Sequence, residues 1–126
     1  MGVIVVFSGA DGTGKSTIAL RLVDHMGPIR IRSDVERKRL YGIKTNEAPS
    51  SAEATLIYNE NATKETYNVL TTLCAEILDA GLSVIIDATN LKLWQRDVIQ
   101  TVANQRGVPV CIAFCESTMS VIQEWI

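Results

Sequence analysis

The 126-residue chain contains few aromatic residues, few cysteines and a single histidine. Aromatic residues make up 6% of the sequence and hydrophobic residues 47%, so the core is expected to consist of Val, Ile, Leu and Ala. The three cysteines, Cys74, Cys111 and Cys115, form no CxxC pair, which favours reduced core cysteines in a cytosolic protein. His25 falls near the end of a predicted helix, where it is expected to be exposed or to cap carbonyl groups rather than to act in catalysis.

The sequence also lacks an excess of basic charge and any long hydrophobic segment. Its formal net charge is -2, which argues against a general nucleic-acid binder but allows a local basic patch that grips one strand end. No basic segment precedes the first apolar run, 3–7, and that run is too short for a signal peptide or a membrane span. We therefore expect a soluble, cytoplasmic protein with no membrane partner.

Apolar runs alternate with amphipathic segments along the chain. The runs predict strands at 3–7, 29–31, 83–87 and 108–115. The intervening segments predict helices at 16–26, 34–40, 93–105 and from 117 onward, with one long helix or two helices broken near 59–61 in the stretch 51–80. Such alternation indicates an α/β fold, in which helices cover both faces of a parallel sheet of about four strands. Because no repeat or linker interrupts the pattern, residues 1–126 are expected to form one domain.

Local signals mark several ends of these predicted helices. Ser50 and Glu53 have the spacing of a capping box, and Gly81 and Gly107 stand where a helix would end. Five apolar or aromatic side chains recur at helical spacing and are predicted to form the core face of the long helical stretch: Tyr58, Tyr67, Leu70, Leu73 and Ile77.

A glycine-rich segment between the first strand and the first helix matches the phosphate-binding pattern GxxxxGK[ST] at every fixed position. The residues predicted to bind the nucleotide are Gly9, Ala10, Asp11, Gly12, Thr13, Gly14, Lys15, Ser16 and Thr17. Backbone amides of such a loop and of the following helix N-terminus surround a phosphate, and glycines let the backbone approach it closely. Lys15 is expected to reach the β- and γ-phosphates and Ser16 to bind Mg²⁺, so ATP with Mg²⁺ is the predicted ligand. Asp11 is assigned no chemistry of its own.

Two other predicted strands end in a carboxylate. The third runs Val84-Ile85-Ile86 into Asp87, which is the Walker B arrangement of an acid that orients Mg²⁺ directly or through water; the alternative is an Asp in a turn. The second runs into Asp34, at the edge of the sheet where α/β proteins bind ligands. Asp34 is a candidate general base for an attacking hydroxyl, and it is also a candidate helix cap.

Basic residues surround Asp34 in the sequence: Arg30, Arg32, Arg37, Lys38 and Arg39. They form either a solvated helix face or, beside a phosphate site, a surface that holds an anionic acceptor. The chain has no NKxD motif, which would be typical of a GTPase.

Three segments together resemble a family of small P-loop kinases: FSGADGTGKST (7–17), IRSDVERKRL (31–40) and AGLSVIIDATNLKLWQRDVI (80–99). The family includes polynucleotide 5′-hydroxyl kinase domains, zeta-toxin-like kinases and AAA-type ATP-binding domains fused to some phosphotransferases. The resemblance implies a three-layer P-loop NTPase fold, with Lys15 and Asp34 in catalysis and Asp87 as a site carboxylate that acts with Ser16 on the metal. It places Arg37, Thr89, Asn90 and Arg96 on the acceptor side.

The C-terminal part departs from this resemblance. Kinases of this type carry an arginine-bearing lid after the fourth strand, whereas residues 119–126 contain no Arg or Lys. The lid and the last strand are therefore expected to be missing. Three interpretations follow: a truncated kinase domain, which we favour, a missing part that lies on a fused or partner domain, or a protein that binds nucleotide without efficient transfer.

Three functions follow from these features. The first is an ATP-dependent kinase whose acceptor is a hydroxyl group, on a polynucleotide 5′ end or a small metabolite. The second is an ATP-binding regulatory module without efficient transfer. The third is a nucleoside or nucleotide kinase, because the segment 11–17 also resembles thymidylate kinases, although their DR[YH] segment is not found.

Overall fold

The computed structural model describes residues 2–8, 27–88, 91–115 and 120–125. The predicted helix at 16–26 lies outside the described residues. The strands of the described part are β1 (Ile4–Ser8), β2 (Ile29–Arg32), β3 (Val84–Ala88), β4 (Val110–Cys115) and β5 (Ser120–Trp125). Its helices are α1 (Ser33–Leu40), α2 (Ser51–Ile57), α3 (Glu60–Asp79) and α4 (Leu93–Arg106).

The strands form one sheet in the order β2-β3-β1-β4-β5. The strand β1 pairs in parallel with β3 and β4, and β2 pairs in parallel with β3. The four predicted strands are therefore confirmed, and so is their parallel arrangement. Because β1, β2 and β3 are parallel, their carboxyl ends lie at the same edge of the sheet, where ligands bind in open α/β sheets.

The prediction of a helix from residue 117 onward is wrong, and so is the prediction that a fifth strand is absent. Residues 120–125 form β5, which pairs antiparallel with β4. The segment contains Val121, Ile122 and Trp125, residue types that are enriched in strands. Its backbone hydrogen bonds are made with β4, a neighbouring strand. The alternation of strands and helices along the chain predicts a helix here, because it does not take this pairing into account.

Between Ser51 and Asp79 the chain forms two helices, which settles the alternative that the sequence left open. The predicted capping box is confirmed, because Ser50 Oγ accepts from Glu53 N at 3.2 Å and Glu53 Oε1 accepts from Ser50 N at 2.9 Å. Asn59 separates the helices: its Oδ1 caps α3 by accepting from Ala62 N at 2.8 Å, and its amide nitrogen donates to two carbonyl groups of α2. The connection between the helices is thus short and held by one side chain.

The main core lies between α3, α4 and one face of the sheet. Its sheet residues include Ile4, Val6, Ile31, Val84, Ile86 and Val110, and its helix residues include Tyr67, Leu70, Cys74, Leu78, Ile99, Val102 and Ala103. Phe7 and Ile85, which alternate with these positions, are fully buried on the other face. Both faces of the sheet are therefore covered, which confirms the predicted three-layer α/β fold.

Tyr58 departs from the predicted core face of the long helical stretch. Tyr67 and Leu70 are buried, and Leu73 and Ile77 pack against the core, whereas Tyr58 lies between the helices and is 49% exposed. The reason is the helix break, because it removes Tyr58 from the helical periodicity that α3 follows. Its hydroxyl group is therefore available for a polar contact near the surface.

Cys74 is expected to resist alkylation in the folded protein. It is buried in the core, and burial raises the pKa of its thiol to about 12. Since an ordinary thiol titrates near 8.5, its thiolate fraction at pH 8 should be lower by roughly 10³-fold. Iodoacetamide treatment with and without urea, followed by peptide mass spectrometry, measures this protection. Cys111 in β4 is partly exposed and serves as the internal comparison. Equal labelling of Cys74 with and without urea would contradict its burial.

Candidate active site at the carboxyl edge of the sheet

The register of the strands places the two candidate carboxylates at one edge of the sheet. Asp87 of β3 lies beside Phe7 of β1 and Arg32 of β2. Asp34 follows β2 directly, as the second residue of α1. With neighbouring strands about 5 Å apart, Asp87 is one strand and Asp34 about two strands from β1, which leads into the segment 9–17. Asp34 and Asp87 therefore both lie at this edge of the sheet, and their roles there stay predictions.

Asp87 is buried in a cluster with two arginines. Its side chain is 2% exposed, and its Oδ2 accepts a hydrogen bond from Nη2 of Arg30 at 2.5 Å. Nε of Arg32 lies 3.6 Å from the same oxygen. Arg30, Arg32 and Asp87 project from the same face of the sheet, because Arg32 is aligned with Asp87 and Arg30 lies two residues earlier in β2. The guanidinium groups compensate a carboxylate that would otherwise be very unfavourable to bury.

Asp34 lies in a more open environment than Asp87. Its side chain is 42% exposed. Its Oδ1 accepts from the hydroxyl of Tyr58 at 2.8 Å, and its Oδ2 lies 3.2 Å from Nζ of Lys38, one helical turn further along α1. No side chain caps α1, so the alternative role of Asp34 as a helix cap is not supported. A carboxylate that is held by two donors and reachable from solvent is suited to exchange a proton with a bound molecule.

Arg37 connects α1 to the junction between α2 and α3. It is buried, and its Nη1 donates to the carbonyl of Ile57 at 2.6 Å and to Oγ1 of Thr63 at 2.9 Å. Its guanidinium carbon lies 5.1 Å from the centroid of the Tyr58 ring, within the range of a cation–π contact. The described contacts of Arg37 are therefore internal, and its predicted contact with an acceptor stays a prediction.

The remaining basic residues of the predicted cluster also have carboxylate partners. Lys38 is paired with Asp34 and its side chain is only 10% exposed, while Nη1 of Arg39 lies 3.0 Å from Oε1 of Glu36. Arg37 and Lys38 are both buried. The basic residues of α1 therefore do not form a fully solvated helix face.

Most of the other predicted site residues lie outside the described part of the chain. The nine residues of the nucleotide-binding segment, including Lys15 and Ser16, lie outside the described residues, as do Thr89 and Asn90. Arg96 lies in the first turn of α4 and is partly buried. The start of this helix is fixed by Oε1 of Gln95, which accepts from Lys92 N at 2.9 Å. The acceptor roles of Thr89, Asn90 and Arg96 stay predictions.

The sequence pattern marks Tyr58 only as a core residue and Lys38 only as a member of a basic cluster. The spacing of Asp34 and Lys38 by four residues is a signal for a pair on one helical turn. Tyr58 lies 24 residues from Asp34, and no periodicity connects the two positions. Asn59 is the one sequence feature that points to Tyr58. As a capping residue it predicts a helix break, and a break at this point would remove Tyr58 from the core face of the helix.

The model of the AAA domain family matches residues 4–126. The chain belongs to the AAA domain family. This AAA domain also resembles solved kinase structures, and the resemblance to small P-loop kinases is confirmed in family and fold. A comparison of this AAA domain with curated proteins gives no match.

Three solved structures illustrate the shared fold. A sugar kinase from Janibacter sp. HTCC2649 has 22% identity and a TM-score of 0.61, over 92% of this chain and 61% of its own. The APS kinase of Mycobacterium tuberculosis in complex with AMPPNP and APS has 22% identity and a TM-score of 0.62, over 91% and 62%. A chain of the Pnkp1/Rnl/Hen1 complex has 23% identity and a TM-score of 0.59, over 91% and 35%. This AAA domain thus spans about three fifths of the length of the first two.

The described ranges contain neither a membrane-spanning helix nor a cluster of metal-ligating side chains. Among residues 2–8, 27–88, 91–115 and 120–125, no helix is long and apolar enough to cross a bilayer. Within the same part of the chain, no three His, Cys, Asp or Glu side chains are grouped so as to hold a metal ion. Mg²⁺ in nucleotide sites needs no such group, since it is held by one or two protein ligands together with substrate phosphates and water.

Proposed function

We propose that this AAA domain is an ATP-dependent kinase that transfers the γ-phosphate to a hydroxyl acceptor. The observation that carries the proposal is the Asp34 carboxylate, which lies at the carboxyl edge of the sheet, is 42% exposed and is held by two donors. It stands about two strands, or ~10 Å, from the strand that leads into the phosphate-binding segment. Family and fold support the same reaction class.

The proposed reaction needs one proton acceptor and no covalent intermediate with the protein. The acceptor oxygen attacks the γ-phosphorus, and its proton passes to the Asp34 carboxylate. The bond between the γ-phosphorus and the bridging oxygen breaks, and its electron pair leaves with ADP. Asp34 later returns the proton to solvent, which its exposed position permits.

The donor side of the site is assigned to the glycine-rich segment. Its backbone amides and Lys15 would hold the ATP phosphates, and Ser16 would hold Mg²⁺, which neutralises negative charge on the β- and γ-phosphates when it is bound. Asp87 fits a position that acts on the metal through water better than one of direct contact. The reason is that Arg30 already compensates its charge at hydrogen-bond distance.

The acceptor side is assigned to the ends of β3 and α1. Thr89, Asn90 and Arg96 would line or brace the pocket, with Arg37 behind Asp34. The acceptor is a hydroxyl group of a small metabolite or of a polynucleotide 5′ end, and a lid on a fused or partner domain would close over it. The proposed location is the cytoplasm, with which the unpaired thiol of Cys74 is consistent.

The direct test is transfer of label from γ-³²P-ATP. The protein is incubated with Mg²⁺ and a panel of acceptors, which includes 5′-hydroxyl oligonucleotides, sugars and nucleosides. We expect label in at least one hydroxyl compound, at a rate that depends on protein concentration. Release of labelled phosphate to water with every member of the panel would refute the kinase and leave a nucleotide-binding module.

Lys15→Met is expected to abolish transfer and to weaken ATP binding by one to two orders of magnitude. The variant removes a charge that is assigned to the β- and γ-phosphates while it preserves the length of the side chain. Isothermal titration calorimetry with a non-hydrolysable ATP analogue measures the binding. Lys44→Met is the matched control, because the Lys44 side chain is 77% exposed and lies 3.8 Å from Glu47. An unchanged ATP affinity in Lys15→Met would show that Lys15 does not bind the β- and γ-phosphates.

A further inference from the structure

The Asp34 carboxylate is tied to two different structural elements. Nζ of Lys38 approaches Oδ2 from within α1, so this contact moves with Asp34. The hydroxyl of Tyr58 donates to Oδ1 at 2.8 Å from the junction between α2 and α3. Donors on both oxygens fix the rotation of the carboxylate plane, because a single donor would leave it free to turn. Of these two contacts, only the one with Tyr58 fixes Asp34 relative to another part of the fold.

The ring of Tyr58 is itself held in place. The guanidinium of Arg37 lies against it at 5.1 Å and also donates to Ile57 and Thr63, on either side of the ring in the sequence. Asn59 fixes the neighbouring backbone through hydrogen bonds to both helices. The hydroxyl of Tyr58 therefore has a defined position, although the residue is 49% exposed.

We propose that Tyr58 is a positioning residue for the Asp34 base, with Arg37 as the clamp that holds its ring. The inference rests on the proposed function. The tyrosine keeps its proton throughout the reaction and donates to one oxygen, which directs the free lone pairs of the carboxylate toward the acceptor hydroxyl. Precise orientation of a base strongly affects proton transfer, since small displacements of reacting groups lower the rate markedly.

A purely structural role explains these observations less well. Tyr58 buries about half of its surface and does not belong to the core, so packing alone gives little reason for a hydroxyl group at this position. The fold contains a second tyrosine–carboxylate contact for comparison. The hydroxyl of Tyr41, a partly exposed residue, donates to Oε2 of Glu65 in another element at 2.7 Å. The Tyr41 hydroxyl bonds to Glu65 and not to Asp34. A Tyr41 variant therefore reports the effect of losing such a hydrogen bond on stability, without any effect on the position of Asp34.

The first experiment measures the contact without any acceptor. Urea unfolding is followed for the intact chain and for Tyr58→Phe, Asp34→Asn and the double variant. We expect the two single variants to lower the midpoint and the double variant to lower it by less than the sum, because both remove the same hydrogen bond. Strictly additive shifts would overturn the contact and the proposal with it.

The second experiment measures transfer to whichever hydroxyl the acceptor panel identifies. In Tyr58→Phe, kcat is expected to fall about tenfold, the factor that corresponds to one hydrogen bond with a charged group, while KM for ATP stays unchanged. In the Asp34→Asn background, Tyr58→Phe should cause no further loss, and Tyr41→Phe should leave kcat unchanged. A structural role would instead lower the urea midpoint in both tyrosine variants and leave kcat intact.

The outcomes distinguish the two proposals. A wild-type kcat in Tyr58→Phe together with an inactive Asp34→Asn would overturn the positioning role and keep the kinase. Full activity in Asp34→Asn, or no transfer to any hydroxyl, would overturn the proposed function and the positioning role with it. The urea measurement then still reports whether the contact itself exists.

Discussion

Asp34→Asn is expected to reduce the rate of phosphoryl transfer by about 10²- to 10⁴-fold, the usual contribution of a general base. The amide preserves the shape of the side chain but has only one acceptor oxygen, which is expected to face the charged Lys38 rather than Tyr58. It cannot take up the proton that the acceptor hydroxyl loses. Initial rates at saturating ATP, together with calorimetric ATP affinity, separate this loss from a loss of nucleotide binding.

The matched control for Asp34→Asn is Asp97→Asn. Asp97 is exposed on α4, and neither strand-end carboxylate contacts it in the described structure. We expect wild-type rates in the control and unchanged ATP affinity in both variants. Transfer at the wild-type rate in Asp34→Asn would remove the base from the mechanism. A loss of ATP affinity as large as the loss of rate would instead indicate that Asp34 contributes to ATP binding.

Asp87→Ala is expected to lower the free energy of unfolding by about 2–4 kcal/mol, near the lower end of the range for breaking a buried ion pair. Asp87 is 2% exposed and its partner Arg30 is 15% exposed, so the variant leaves a guanidinium with little access to water. Removing the carboxylate partner of a buried charge is far more unfavourable than losing an exposed pair. Urea unfolding followed by circular dichroism measures the difference.

The fold provides a control for the burial argument. Arg106 and Asp79 form a second bridge, at 2.9 Å, in which the Asp79 side chain is 63% exposed. Asp79→Ala is expected to change stability by less than about 1 kcal/mol, as for other surface pairs. Replacing both members of the buried pair, as Arg30→Met with Asp87→Leu, should restore most of the lost stability, since the other arginine near Asp87, Arg32, is 47% exposed and can be solvated. Equal losses in Asp87→Ala and Asp79→Ala would show that burial contributes nothing.

Most of the fold could be predicted because its elements are marked locally. Parallel strands are buried on both faces and read as continuous apolar runs, such as Val84 to Ile86. The box of Ser50 and Glu53 and the left-handed Gly107, with φ of 66°, mark helix ends within three residues of sequence. The segment 120–125 has no such local signal for a strand, because it becomes a strand by pairing with β4.

In the site, too, the sequence predicts the residues that are marked locally but not those whose partners depend on packing. Asp34 and Asp87 could be placed at one edge because each directly follows or ends a strand, and parallel topology then brings the strand ends together. Tyr58 could not be placed, because its partner depends on how α1 packs against the break before α3. Nor could the arginine partners of Asp87 be assigned, since strand order decides which basic side chains stand beside it.

The position of β2 at one end of the described strand order has a further consequence, for solubility. An edge strand exposes unpaired backbone groups that can recruit a strand from another molecule and start aggregation. Here the edge is only four residues long, and every second residue is an arginine. Two copies brought edge to edge would place like charges opposite each other. Arg30 and Arg32 thus serve the site and also discourage the intermolecular pairing that a short apolar strand would invite.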